Sequence, residues 1–260
     1  MKNKIILMVL LLGAVVFSGC PDNIVVDPCA GAEPVTARFS TYEIVYGKRD
    51  NKAHLARTDT FIYSTPVRFA ADEHYDSYEW HIGYDDRYRT DSAFSLNFSS
   101  TEVQERVPLP ITFIGRRKPR TDCFPDDDGI DTARRFIVFR NHWDAQLLGS
   151  YLGHHTDENP LDTFTVDIFW KTVDFFAVTN INRGFMDNCF KSSSAVQRDF
   201  GNVSMGFQNM GSAIGCNLHD LDGYALLTTN RDSIIIDYIQ TDRAGDGISH
   251  HKVFTGRRIQ

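Results

Sequence analysis

The chain has 260 residues, 42% of them hydrophobic and 12% aromatic, a length that suggests two domains. Its formal charge is −7, and an acidic surface of this kind argues against nucleic acid as a partner.

A basic start with Lys2 and Lys4 precedes an apolar stretch from Ile5 to Phe17, which at 13 residues is too short to span a bilayer. Basic, apolar and then small residues make the layout of a secretory signal peptide. Its end, Phe17-Ser18-Gly19-Cys20, resembles the lipobox of bacterial lipoproteins. That resemblance implies a signal peptide over residues 1–19 and a diacylglycerol thioether on Cys20, which becomes the first mature residue. The alternative is an ordinary cleaved signal that leaves Cys20 as a free or disulfide-bonded thiol. Several acyl chains would hold the protein firmly on a bilayer, since one chain is marginal and two suffice. Loss of residues 1–19 removes two lysines and no acid, so the mature charge is −9.

Four cysteines remain: Cys29, Cys123, Cys189 and Cys216. An even number in an exported chain reads as two disulfides. Three pairings are open. Local folding favours Cys29–Cys123 and Cys189–Cys216, for which chain entropy gives about 4.7 and about 3.5 kcal/mol. A four-thiolate zinc site competes, but no two of these cysteines show C-x2-C spacing.

Residues 20–36 contain three prolines and no amphipathic period, so they read as a lipidated tether, with Cys29 able to pin its far end to the fold. Beyond it the dominant hydrophobic period is two. Val67 and Phe69 flank Arg68; Tyr78, Trp80 and Ile82 alternate with polar residues; so do Phe94, Leu96 and Phe98. Val107, Leu109, Ile111 and Phe113 continue the pattern, with Pro108 and Pro110 between them. Each run predicts a strand with one buried face, and the prolines predict that the last lies at a sheet edge. Further on come FTVDIFW, FFAV, Tyr224–Thr228 and SIIIDYIQ, with a hairpin expected around Asn230-Arg231-Asp232. No helical stripe persists beyond two turns, and the expected fold class is all-β.

The segment YDSYEWHIGYDD, residues 75–86, is similar to the central motif of PKD domains, which are immunoglobulin-like β-sandwiches. Tyr78, Trp80, Ile82 and Gly83 match the pattern, while the Asp-Gly and Pro-x-x-x-Tyr elements that often follow it are missing. The resemblance implies a PKD-like sandwich over residues 37–142, with Trp80 between the sheets and Gly83 at a sharp turn. In residues 143–260, Gly149-Ser150-Tyr151 ahead of FTVDIFW looks like the opening of a lipocalin-type barrel, with Tyr in place of Trp. The resemblance implies that Arg257 or Arg258 packs over that aromatic ring. An unrelated antiparallel β-domain, barrel or meander, is the alternative. Lipobox, sandwich and C-terminal β-domain together resemble accessory lipoproteins of Gram-negative bacteria, which places the chain on the outer membrane by analogy.

Candidate chemistry is sparse. Asp126, Asp127, Asp128 and Asp131 surround Gly129 and could bind Ca2+, which takes six to eight oxygen ligands, but their spacing is not that of an EF-hand loop, and an ordinary solvated turn beside Cys123 is the preferred reading. One histidine from each of His154-His155 and His250-His251, with Asp157 or Glu158, would make a zinc site only if their loops met. Enzyme signatures such as G-x-S-x-G, H-E-x-x-H and the Walker A loop are absent from the sequence. Tyr84 and Tyr88 are candidates for a platform that stacks on sugar rings. The resulting expectation is a lipid-anchored, non-enzymatic binding or accessory module for an outer-membrane protein complex or a glycan. The alternatives are a lipocalin-like carrier of a small apolar ligand and a glycan hydrolase with two facing carboxylates.

Overall fold

A computed structural model describes residues 27–47, 52–85, 87–172, 175–181, 183, 201–207, 219–242 and 247–259. Cys20, Cys189 and Cys216 lie outside the described residues, as does the N-terminal apolar segment. Within them the chain is all-β, with one 3-10 turn at His142–Asp144.

Strands β1 (Phe39–Gly47), β2 (Lys52–Arg57), β3 (Thr60–Ile62), β4 (Val67–Ala71), β5 (Ser77–Ile82), β6 (Arg87–Arg89), β7 (Ala93–Leu96), β8 (Leu109–Arg116) and β9 (Ile130–Arg140) form two sheets. Their orders are β2-β1-β4-β7 and β3-β9-β8-β5-β6, antiparallel except for the parallel β3–β9 pair. Alternating side chains of both sheets meet in one core, Phe39 and Phe69 from the first and Trp80, Ile111, Phe113 and Phe139 from the second. Trp80 is fully buried, with its ring centroid 4.3 Å from that of Phe113 and edge-on to Phe39 at 5.3 Å. Its indole N–H donates to the Asp91 carbonyl at 2.9 Å, so the polar tip of this large side chain is satisfied inside the core. Gly83, at φ +77°, turns the chain out of β5 where a side chain would be strained.

The strand carrying Pro110 is not at an edge. β8 lies between β9 and β5, and Pro110 pairs with Phe136. The Pro110 carbonyl accepts from the Gly83 N–H at 2.9 Å, one step beyond the last β5 partner, Ile82↔Ile111. On an antiparallel strand a residue's N and O face the same neighbour. The missing proline donor therefore points to where β5 has already turned away, and Pro108 precedes the strand altogether.

The segment before β1 is stitched to this sandwich. Cys29 and Cys123 form a disulfide, with Cα atoms 5.5 Å apart. Asp127 and Asp131 accept from the backbone N–H groups of Val35 and Ala37, at 2.9 and 2.7 Å.

Strands β10 (Gly149–His155), β11 (Phe164–Thr172), β12 (Phe175–Thr179), β13 (Ser204–Phe207), β14 (His219–Leu227), β15 (Ser233–Asp242) and β16 (Ser249–Ile259) make a third, curled half-barrel sheet. Its order is β12-β11-β10-β16-β15-β14-β13, so the first strand is bonded to both the second and the last. The inner face is closed by side chains, among them Tyr151, Ile168, Phe176, Met205, Leu221, Ile236 and Phe254. The hairpin between β14 and β15 falls at the expected place: the Thr228 N–H donates to the Ser233 carbonyl at 2.9 Å, and Arg231 sits at φ +62°.

Candidate functional site

The two halves meet along a seam that begins with an acid on a buried face. In β1 the residues Phe39, Thr41, Glu43 and Val45 share one side and all are buried. Phe39 enters the sandwich core, whereas Glu43, further along, reaches the second half. Its carboxylate accepts from the backbone N–H of Asn202, from the Val203 N–H at 3.1 Å and from the Ser204 hydroxyl at 2.7 Å. This close approach requires glycine at 201, because a Cβ there would lie 2.3 Å from the Glu43 carboxyl carbon. Burial pushes the Glu43 pKa up from 4.5 to about 7, against the lowering pull of those three hydrogen bonds and of the Arg231 charge.

Other contacts fasten the same seam. Ala56, the cross-strand partner of Glu43, belongs with Ile62 to the core of the curled sheet rather than to the sandwich core. His54 stacks on Tyr224 with ring centroids 3.7 Å apart. The Asn202 side-chain oxygen accepts from the Gln146 N–H at 3.0 Å, and its carbonyl accepts from Leu147 at 2.9 Å, so one residue holds both the connecting segment and Glu43. Arg231 donates to the Gln146 side chain at 2.6 Å and lies 3.5 Å from Asp59.

Beside this seam is an open cleft of about 470 Å³ whose lining comes from both halves: Thr41, Arg57, Thr58, Asp59, Arg135, Phe136 and Ile137 from the first, Thr229 and Arg231 from the second. Three guanidinium groups against one carboxylate make it a positive region on an acidic chain. Arg135 leans over the Phe39 ring at 5.3 Å, which fixes it at the wall. Phe136 is 60% exposed and offers its ring to the cleft. None of these cleft residues is singled out by the sequence as a functional residue, although Arg231 is placed in a hairpin turn. The available signals were an acid within the alternation of FSTYEIV and an arginine in the middle of a hairpin turn.

The residues singled out from the sequence are dispersed. Tyr84 and Tyr88, 74% and 52% exposed, lie on the same β5–β6 hairpin but engage different neighbours. The Tyr84 hydroxyl donates to the Pro108 carbonyl at 3.0 Å, and Tyr88 packs edge-on to His81. Tyr84 borders a pocket of about 120 Å³ that Tyr88 does not line. Of the aspartates, Asp127 and Asp131 hold the incoming chain as described, and the Asp128 side chain caps the Ile130 N–H at 3.0 Å. Asp126 lines a shallow pocket with Asp127 and Asp128. Among the described residues no three His, Cys, Asp or Glu side chains are grouped to hold a metal ion.

The histidine pairs split across their sheet. His155 points inward and is buried, with Nε2 2.9 Å from the Tyr238 hydroxyl and 3.1 Å from the Ile181 carbonyl. Burial lowers its pKa, which favours the neutral ring. His251, on the outside, pairs with Asp237 at 2.7 Å. Asp157 and Glu158 both bond Lys252, each at 3.2 Å.

Of the two candidate arginines, Arg258 covers the aromatic ring. Its guanidinium lies 5.1 Å over Tyr151 and donates to the Tyr151 hydroxyl at 2.7 Å, to the Leu148 carbonyl at 2.9 Å and to the Gln146 carbonyl. Arg257, one residue earlier, is exposed. Compared with known proteins, the chain matches no family, no curated protein and no solved structure.

Proposed function

We infer that this chain is a lipid-anchored, non-enzymatic binding or accessory module of the outer membrane, held through Cys20 and presenting a rigid two-part body to a protein complex or glycan. The observation that carries this reading is the seam. Glu43, Asn202 and Arg231 fix the PKD-like half against the C-terminal half, so surfaces contributed by both keep a constant geometry. Recognition then falls on outer faces, because the described inner face of the curled sheet is occupied by its own side chains. The test is crosslinking in intact cells, followed by isolation of the acylated protein from membranes. The reading expects recovery of a defined outer-membrane complex or a bound glycan, and loss of membrane association in Cys20→Ser. A Cys20→Ser protein that stays in the membrane fraction, or native protein whose Cys20 sulfur is unmodified, overturns it.

The carrier reading keeps one specific support, the strand order in which β10 bonds β16 with Arg258 across Tyr151, as in a lipocalin-like barrel. It expects saturable uptake of an apolar fluorescent probe by the purified protein.

A further inference from the structure

We propose that the cleft between the two halves binds an anionic saccharide, a sugar bearing a carboxylate or sulfate group, with the oxyanion held by Arg57, Arg135 and Arg231 and the ring laid against Phe136. The inference deepens the glycan branch of the function above, but the binding itself does not depend on a lipid anchor.

Among the described residues neither Arg57 nor Arg135 has a carboxylate partner, whereas Arg231 shares Asp59 at 3.5 Å. Three guanidinium groups thus share one concavity with a single carboxylate, Asp59, and an oxyanion would supply the negative charge that the lining lacks. Arginine's planar fork suits a carboxylate or sulfate, whose oxygens accept two parallel N–H bonds.

Preorganisation comes next. Arg135 is braced on Phe39, and Arg231 is tied to Gln146 from a turn position at φ +62°, a conformation non-glycine residues seldom adopt. Both side chains are therefore held before a ligand arrives, which lowers the ordering cost of binding. The body of the ligand follows from the remaining wall. At about 470 Å³ the cleft falls within the usual size range of small-molecule sites, and Phe136 supplies an exposed ring face beside the cations. A free inorganic ion would use the arginines and leave that face idle; a sugar ring carrying the anion uses both.

The experiment is calorimetric titration of full-length protein in detergent with a polyuronate oligosaccharide, its fully methyl-esterified counterpart, a sulfated oligosaccharide and inorganic sulfate. The expected result is binding of one or both acidic oligosaccharides that weakens with salt, with no heat from the neutral ester. Arg57→Gln with Arg135→Gln should weaken it by roughly tenfold per arginine, as loss of a charge-assisted hydrogen bond implies. Arg57→Lys with Arg135→Lys should retain part of it, and Phe136→Ala should weaken the saccharide without changing any sulfate binding. These three side chains are exposed, and unchanged circular dichroism and melting of the variants verify folding. Equal binding of the ester, unchanged affinity in the glutamine double variant, or no binding of either acidic oligosaccharide overturns the proposal. Tighter binding of an acidic peptide at the same arginines also overturns it, in favour of a protein ligand. Cys20→Ser leaves these titrations unchanged, so their failure is distinct from failure of the anchoring reading.

Discussion

The sandwich and the curled sheet solve the same burial problem by different means. The sandwich closes on itself: two sheets face each other across a core rich in Phe and Trp, and a disulfide fastens its leading segment. The curled sheet has one face to bury and takes part of its cover from elsewhere, since Ala56 and Ile62 of the first half sit in its core. The first core contains no acid, while the join to the second is centred on a buried carboxylate. The difference teaches that the sandwich core is complete within the first half, whereas the core of the curled sheet includes residues of the first half.

The largest test of this contrast is Trp80→Ala. Loss of a fully buried indole among Phe39, Phe69 and Phe113 should cost about 3–5 kcal/mol in denaturant unfolding. If the second half leans on the first, its transition should move to lower denaturant in the same variant, and an unshifted second transition would break the comparison.

Next comes the pH dependence of Glu43. Its proton is held more tightly folded, at about 7, than at the unfolded value of 4.5. The contribution of this group is therefore fullest below the unfolded value, declines as pH rises through that window and is constant above it. The decline amounts to about 3 kcal/mol. Glu43→Gln should flatten that part of the stability profile, as followed by urea unfolding between about pH 5 and pH 8.

Arg258→Ala should follow, at about 2 kcal/mol, because it strips a stacked cation from Tyr151 and leaves the Leu148 and Gln146 carbonyls short of a donor. That loss should appear in the curled sheet's transition and leave the sandwich unmoved. Smallest of all, Tyr88→Ala on the exposed β6 edge should change stability by no more than about 0.5 kcal/mol. Any larger change on its binding to a glycan array would then report recognition rather than folding.

What the sequence makes legible follows from periodicity. In FTVDIFW and SIIIDYIQ the pattern of two gives the strand and most of its buried side, Val166 and Ile168 in the first and Ile234, Ile236 and Tyr238 in the second, although Trp170 at the end of the first is exposed. The strand carrying Trp80 is read from the same alternation, the turn at Gly83 from the resemblance of its segment to the PKD motif, and the β14–β15 hairpin from the polar residues between two apolar runs. β9 is harder to see, because its sequence IDTARRFIVFR buries alternate residues only at its far end. The central place of β8 is hidden because the proline rule concerns a donor, and which neighbour that donor faces depends on where β5 stops. The cleft is invisible for a related reason: Arg57 and Arg135 are far apart in the chain and line one cleft only once the first half has folded, and Arg231 joins them from the second half.

The bridge from Cys29 to Cys123, backed by the Asp127 and Asp131 bonds to Val35 and Ala37, also sets a limit on reach. Only eight residues lie between Cys20 and Cys29, so an acylated Cys20 would allow at most about 30 Å of slack between the lipid surface and the folded body. A molecule anchored in that way would sample a thin shell above the headgroups, and anything it recognised would have to reach that shell.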